Sequence, residues 1–490
     1  MSSSPSTAAG AAPRPPALLL SPDLAMLLQL ITEHVDDFSQ SAAAGGGDFA
    51  AAETRLGELL AGVERAALGK MLRSMDPKDE RVEVDGKSWR RLHPTAAETY
   101  STLRGEVRVE RGLYRQEGNP EGATVVPMER RAGIVEGRYT PAAARAVATV
   151  FQAMPSRDAE LLCQVLGILP YSRAAQHRTA VDIGERWETI HERAEAEIGE
   201  AMDIPAAAAA VSLSVDRISL PMSEPRPLTA EDIAAGIRNP IAVNWRMAFT
   251  AAIVLYDRDA NPLTTIRYAH VPTSGASTIE ASLRRDVATL VRRRPGLRVA
   301  TVADGAPEMQ SILDRATSGV PVTARMVDFW HFAECLAGAI RSMGAYVDDQ
   351  LGDWKELLLE RDDAVEAIEA TLREWAGEYE TGKEPGPLHA ALTYIANHRD
   401  RLRYATARAA GLPIGSGAVE ATGKTVVAVR MKRAGSRWKP AGAQAVMSLR
   451  ALATSSPERW SAGLNHVLNT YKSPVTPLSQ RPRRRSARRV

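Results

Sequence analysis

The sequence predicts an α/β protein built on a mixed sheet with helices on its faces, interrupted by a long all-helical stretch. Three observations carry this expectation. Between Val211 and Val327, three strand-like runs follow one another and then alternate with helices. From Phe329 to Ala410 the apolar spacing is helical throughout. Ahead of both come a β-hairpin and two helices joined by a tight turn, the spacing of a helix-turn-helix. A chain of 490 residues, 44% hydrophobic and 24% charged, is too long for one core, so several globular domains are expected.

Taken in order, residues 1–21 are rich in Ser, Ala and Pro and are expected to be disordered. The apolar patch 17–20 lacks a basic flank and is too short for a signal peptide or a membrane span. Residues 22–80 hold two helices, 22–38 and 51–75, around an Ala/Gly linker. Residues 81–139 turn to strands, with a hairpin at 82–87 turning on Asp85-Gly86 and an alternating run at 103–114. In 140–205, Pro141 opens one helix, 156–166 forms a second, and 167–170 is a turn before a third, capped by the Ser172 hydroxyl. That last pair is either a helix-turn-helix with Arg173, Gln176, His177 and Arg178 facing a DNA groove, or an ordinary αα-hairpin.

The sheet region, 206–328, offers strands at 211–220, 244–256, 263–270, 297–303 and 322–327, with helices at 278–294 and from Pro307. Residues 329–410 form a helical insertion in which Trp354, Trp375 and Tyr394 are expected as core. Residues 411–460 return to the main fold with helices from Gly417 and over 439–452, and 461–490 ends in a basic tail. No internal repeat is present. Cys163 and Cys335, far apart and outside any CxxC spacing, exclude a disulfide framework and a zinc ribbon and suit a reducing compartment. The net charge is +2, but the tail from Arg481 carries six arginines and no acid, and subtracting them leaves −4. Nucleic-acid affinity must therefore come from local clusters.

The chemistry concentrates in three acids. Asp216 closes the run Val211-Ser-Leu-Ser-Val215, and Asp304 closes Leu297-Arg-Val-Ala-Thr-Val-Ala303. Glu420 follows the Gly-Ser-Gly turn of Leu412-Pro-Ile-Gly-Ser-Gly-Ala-Val-Glu-Ala-Thr422 and opens a helix. Two strand-end aspartates and a later helical glutamate are what a two-metal phosphoryl-transfer site needs: hard oxygen ligands on rigid elements. Taken singly, each aspartate reads equally as a solvated turn residue, Asp304 before Gly305 above all. Downstream of Glu420, the cations Lys424, Arg430, Lys432, Arg433, Arg437 and Lys439, with Trp438 among them, could track a phosphate backbone or merely form a solvated face. Arg292 to Arg294 complement a helix C-terminus. Gly423-Lys424-Thr425 mimics the end of a P-loop, but Ala418 stands where its first glycine belongs, so ATP binding is not expected.

Four blocks in order extend this pattern: Val302-Ala-Asp-Gly-Ala-Pro-Glu-Met309, Val327-Asp-Phe-Trp-His-Phe-Ala-Glu334, Gly411 to Thr422, and Val429-Arg-Met-Lys-Arg-Ala-Gly-Ser-Arg-Trp-Lys439. They resemble the DDE transposases of bacterial insertion sequences, the Kra group in particular. The resemblance is strong over 211–452, weaker over 102–187 and absent from the first hundred residues. It implies an RNase H-like catalytic core interrupted by the helical insertion, with Asp216, Asp304 and Glu420 as catalytic and metal-binding triad. It implies Mg²⁺ as cofactor, with Mn²⁺ able to substitute, and double-stranded DNA as partner, both element ends and target. A homodimer on DNA, no membrane, and a bacterial cytoplasmic, nucleoid-associated setting follow from it.

The resemblance also matches a D-x-x-H motif to Asp328 and His331. There His331 contacts the DNA backbone or is simply satisfied at a helix start. Asp328 competes with Asp304 as second ligand, and Asp304 is preferred because its strand should neighbour that of Asp216. Arg217 and Gly423 depart from the commoner glycine and cysteine, and neither departure removes a ligand. The alternative function is a catalytically silent, sequence-specific DNA-binding protein derived from such an enzyme.

Overall fold

The computed structural model describes residues 22–169, 173–272, 275–344, 347–380 and 386–478. The expected Ser172 cap and the arginine-rich tail lie outside them.

Two long helices, α1 (Pro22–Ala43) and α2 (Phe49–Met75), pair as a hairpin; Asp48 caps α2 by accepting from the Ala51 amide. A β-rich unit follows: β1 (Arg81–Val84), β2 (Lys87–Arg91), β3 (Ala96–Thr102), β4 (Gly105–Arg111), β5 (Tyr114–Gln116) and β6 (Thr124–Val125). Asp85 (φ 52°) and Gly86 (φ 72°) make the expected two-residue turn, both in the left-handed region that a type I′ hairpin demands. Next come α3 (Pro127–Ala132), α4 (Pro141–Ala153), α5 (Ser156–Val165) and α6 (Arg173–Ala201), the last far longer than a recognition helix requires.

The central sheet comprises β7 (Ala210–Pro225), β8 (Ile241–Tyr256), β9 (Pro262–His270), β10 (Arg298–Ala303) and β11 (Val322–Val327), with the short helix α7 (Ala230–Ala234) at the β7–β8 turn and α8 (Gly275–Arg293) and α9 (Pro307–Ala316) among the crossovers. Its order is β11-β10-β7-β8-β9; β10 is parallel to both β11 and β7, while β7–β8 and β8–β9 are antiparallel. This is the expected mixed α/β sheet. Side chains alternate across it. Val211, Leu213 and Val215 pack with α8 and α9, whereas Ala210, Ala252, Val254 and Val302 face the segment around Leu412 and Val419.

The stretch after β11 is helical, in α10 (Phe329–Ser342), α11 (Val347–Glu360), α12 (Ala364–Tyr379), α13 (Pro387–His398) and α14 (Tyr404–Ala409). It has its own core, where Trp354 and Trp375 stack at 5.4 Å. The chain returns as α15 (Gly417–Thr422), a π-helical turn (Gly423–Ala428) and α16 (Val429–Met431), then α17 (Pro440–Ser455), α18 (Pro457–Asn469) and β12 (Val475–Pro477). Helix α17, almost wholly buried, packs between α6 and β9 and joins the N-terminal helices to the sheet. A buried charge network reinforces that junction, Arg459 reaching Asp286 at 3.3 Å and Arg285 reaching it at 2.7 Å.

Two features differ from expectation. Helix α18 crosses the anticipated boundary at 460/461, and β12 pairs antiparallel with β1, tying the C-terminal segment to the N-terminal sheet. No described helix is long and apolar enough to cross a membrane.

Candidate active site and nucleic-acid interface

The parallel register of β7 and β10 pairs Ser214 with Val302. Asp216 and Asp304 each lie two residues further on: Asp304 just past the end of β10, as expected, but Asp216 inside β7 rather than at its end, because the β7–β8 ladder continues to Pro225. Asp216 takes the face shared with Ser212 and Ser214, the one on which α15 lies and presents Glu420. The three acids feel one another: burial raises the Asp216 carboxyl first, and the charges of Asp304 and Glu420 push it further, against its hydrogen bond from the Arg217 amide and the nearby His331.

Each carboxylate keeps oxygen capacity in reserve. Asp216 Oδ1 accepts from the Arg217 amide at 2.6 Å, and Asp304 Oδ1 from the Ala306 amide at 2.9 Å. Among the described residues Glu420 pairs only with Lys424, its i+4 neighbour, at 3.6 Å. Three hard-oxygen donors fit a divalent cation in kind. In spacing they stand apart: among the described residues, no three His, Cys, Asp or Glu side chains are gathered closely enough to hold a metal.

Asp328, the rival ligand, is fully committed elsewhere. It is completely buried, caps α10 by accepting from the Trp330 and His331 amides at 2.7 and 3.0 Å, and receives both the amide and the hydroxyl of Ser416, the latter at 2.7 Å. Burial alone would raise its carboxyl, yet the contacts of His331 and Ser416 together outweigh it and hold it well below the ordinary range. His331 Nδ1 lies 3.4 Å from Asp328 Oδ1, and this contact, with the carboxylate's charge, pushes the imidazole up to about 9 against burial. A cationic histidine therefore stands near Asp216 and Asp304.

No family model, curated protein or solved structure matches this chain. The site rests on its own geometry.

The basic residues divide. Arg430 is buried, stacked between Phe151 (5.4 Å) and Trp438 (4.9 Å), and its Nε donates to the Phe151 carbonyl. Burial, with Arg450 and Arg433 adding, lowers its guanidinium to about 10. Lys424, Lys432, Arg433, Arg437 and Lys439 are exposed. Arg433 pairs with Asp158 at 3.4 Å. At the start of α6, Gln176 is buried, Arg173 pairs with Glu160 at 3.1 Å, and His177 and Arg178 are exposed. His177, Arg430, Arg437, Trp438 and Lys439 line one cleft of about 530 Å³, so the two sets of DNA-contact candidates, far apart in sequence, converge.

Two residues escaped the sequence reading. Tyr394, expected only as core, donates its hydroxyl to the Asp304 carbonyl at 2.9 Å. Gly305, at φ 94°, makes room for it; a Cβ there would meet that hydroxyl at 2.8 Å. Trp330 is 57% exposed and lies against Gly415, beside the site. Its signal was the adjacent aromatic in Phe329-Trp330, where only one of two neighbours can face a core. The π-helical turn just after Glu420 is a further local departure of the kind that clusters at functional sites.

Proposed function

We propose that this chain is a DDE transposase, which binds the inverted repeats of an insertion sequence, cuts DNA strands at their ends and joins the 3′-hydroxyls to target DNA. The observation that carries the reading is the placement of Asp216, inside β7, beside Asp304, just past the end of the parallel neighbour β10, with Glu420 on the helix over the same face. A mixed sheet whose last acidic helix follows a helical insertion agrees with an RNase H-like core.

Asp216, Asp304 and Glu420 would hold Mg²⁺, or Mn²⁺ in its place. When bound, such ions activate a water or 3′-hydroxyl and stabilise the leaving oxygen in an in-line displacement. Asp328 positions rather than reacts, fixing the loop from which Glu420's helix starts. His331, cationic, stands where a scissile or flanking phosphate would be attracted. The exposed cations around the cleft supply backbone contacts, His177 and Arg178 reach from α6, and the arginine tail adds salt-dependent affinity.

The silent DNA-binding alternative gains from one observation, the separation of the three acids. Parallel assays decide between them: Glu420→Gln should abolish Mg²⁺-dependent cleavage while end binding stays within about twofold, since the side chain remains isosteric and only ligand charge is lost. Equal loss of binding and cleavage contradicts this role for Glu420. Absence of cleavage in the wild type, with specific binding retained, favours the silent protein.

A further inference from the structure

The β7–β8 hairpin runs well past the sheet. Beyond the Asp216–Thr250 pair, nine further pairs extend to Pro225–Ile241, forming an arm tipped by α7. One face of this arm is polar or covered: Glu224 holds Asn244 at 2.7 Å and Arg246 at 2.8 Å, and Leu220 and Met222 are buried near Trp438. The other face is apolar and open. Ile241, Val243, Trp245 and Met247, alternate residues of β8, are 52, 41, 63 and 43% exposed. Their partners on β7 are Pro225, Ser223, Pro221 and Ser219, none of them charged. The tip adds Leu228, Ile233 and Ile237, also exposed.

This inverts the usual arrangement, in which a half-solvated strand turns its apolar residues inward. The seven side chains of the strand face and the tip, each presenting on the order of 100 Å², together leave roughly 700 Å² of apolar surface on the arm, more than monomers normally leave open in one region. A standard interface buries about 800 Å² per partner. The area thus suits one copy of the arm against another. Phosphate does not suit it: the strand face is uncharged, Arg217 at its base is paired with Glu308 at 2.5 Å, and the nearby Lys432 lies 6.0 Å from the Trp245 ring.

We propose that this face docks a second copy of the chain, arm against arm about a two-fold axis. An isologous contact of this kind is self-complementary and closes at two copies. The need for a dimer rests on the transposase reading, which requires two element ends to be held together, although the surface is present regardless. Because the arm continues the strand bearing Asp216, dimerisation would set the two active sites in fixed relation.

Sedimentation equilibrium of the full chain without DNA, from about 1 to 50 µM, tests this. The wild type should reach twice the 52.9 kDa chain mass. Trp245→Glu should weaken association at least ~30-fold, as loss of a central aromatic anchor does. Val243→Thr, a milder change, should weaken it less without altering the melting temperature. Leu161→Glu, at an exposed leucine on α5, should have no effect. A wild type that stays monomeric, a dimer that survives Trp245→Glu, or one broken by Leu161→Glu instead would overturn the proposal. A DNA-free dimer that never cuts DNA would fail the transposase reading alone, and a cutting monomer would fail the arm alone.

Discussion

The Asp328 carboxylate, fully buried, grips both the amide and the hydroxyl of Ser416 and so binds the start of α10 to the loop from which α15 and Glu420 emerge. Asp328 thereby bears on the candidate site through backbone geometry, while His331 brings a positive charge to its edge.

Asp328→Ala should cost about 2–4 kcal/mol, since it removes a helix cap and leaves several buried donors unpaired. Differential scanning calorimetry would read the loss; a change within error contradicts the clamp. The contribution of Asp328 is present above the ordinary carboxylate range and is lost as pH falls through its depressed native value. That of His331, whose native value is raised, is full below its ordinary value of 6.5 and is lost as pH rises through about 9. The destabilisation by His331→Ala should therefore shrink at alkaline pH.

Asp216→Asn should abolish cleavage yet raise the melting temperature by about 1–3 °C at neutral pH without divalent ions. Burial and neighbouring acids penalise the ionised form, so its elevated value makes the penalty full above the native pKa and absent below the unfolded one. A lowered melting temperature would show that the carboxylate is structurally needed.

How far the site was legible differs by element. Strands β10 and β11 announced themselves as apolar runs followed at once by an acid, and the placing of Asp304 beside Asp216 followed from strand adjacency, whereas the end of β7 was read too early and Asp216 lies within it. The arm was hidden because Pro221 and Pro225 mark strand ends in most contexts; here they sit on an outlying hairpin. Strand β3, with Glu98 and two alanines, lacks the alternation that would identify it. The pairing of β12 with β1 is a long-range match that no local pattern encodes. Arg430 looked like its cationic neighbours; only the tertiary meeting of Phe151 and Trp438 buries it.

That difference is measurable. Arg430→Gln should lower stability by about 1–3 kcal/mol through lost stacking and packing. Arg437→Gln, at an exposed position, should leave stability unchanged and reduce the salt slope of DNA binding by about 1. If both variants behave alike in melting and in salt titration, the division between structural and DNA-facing cations is wrong.

Tyr394→Phe removes the hydrogen bond to the Asp304 carbonyl, worth about 1 kcal/mol. Cleavage should slow by roughly 3–10-fold as the Asp304 turn loosens, with end affinity unchanged. An unaltered single-turnover rate would reduce Tyr394 to core filling.

The most direct test is base-resolution mapping of cleavage on labelled duplexes taken from the DNA flanking this gene, with Mg²⁺ and with chelator. The account predicts Mg²⁺-dependent cuts leaving 3′-hydroxyls at the boundary of an inverted repeat. Specific binding without cutting, or cuts at no fixed position, would contradict it.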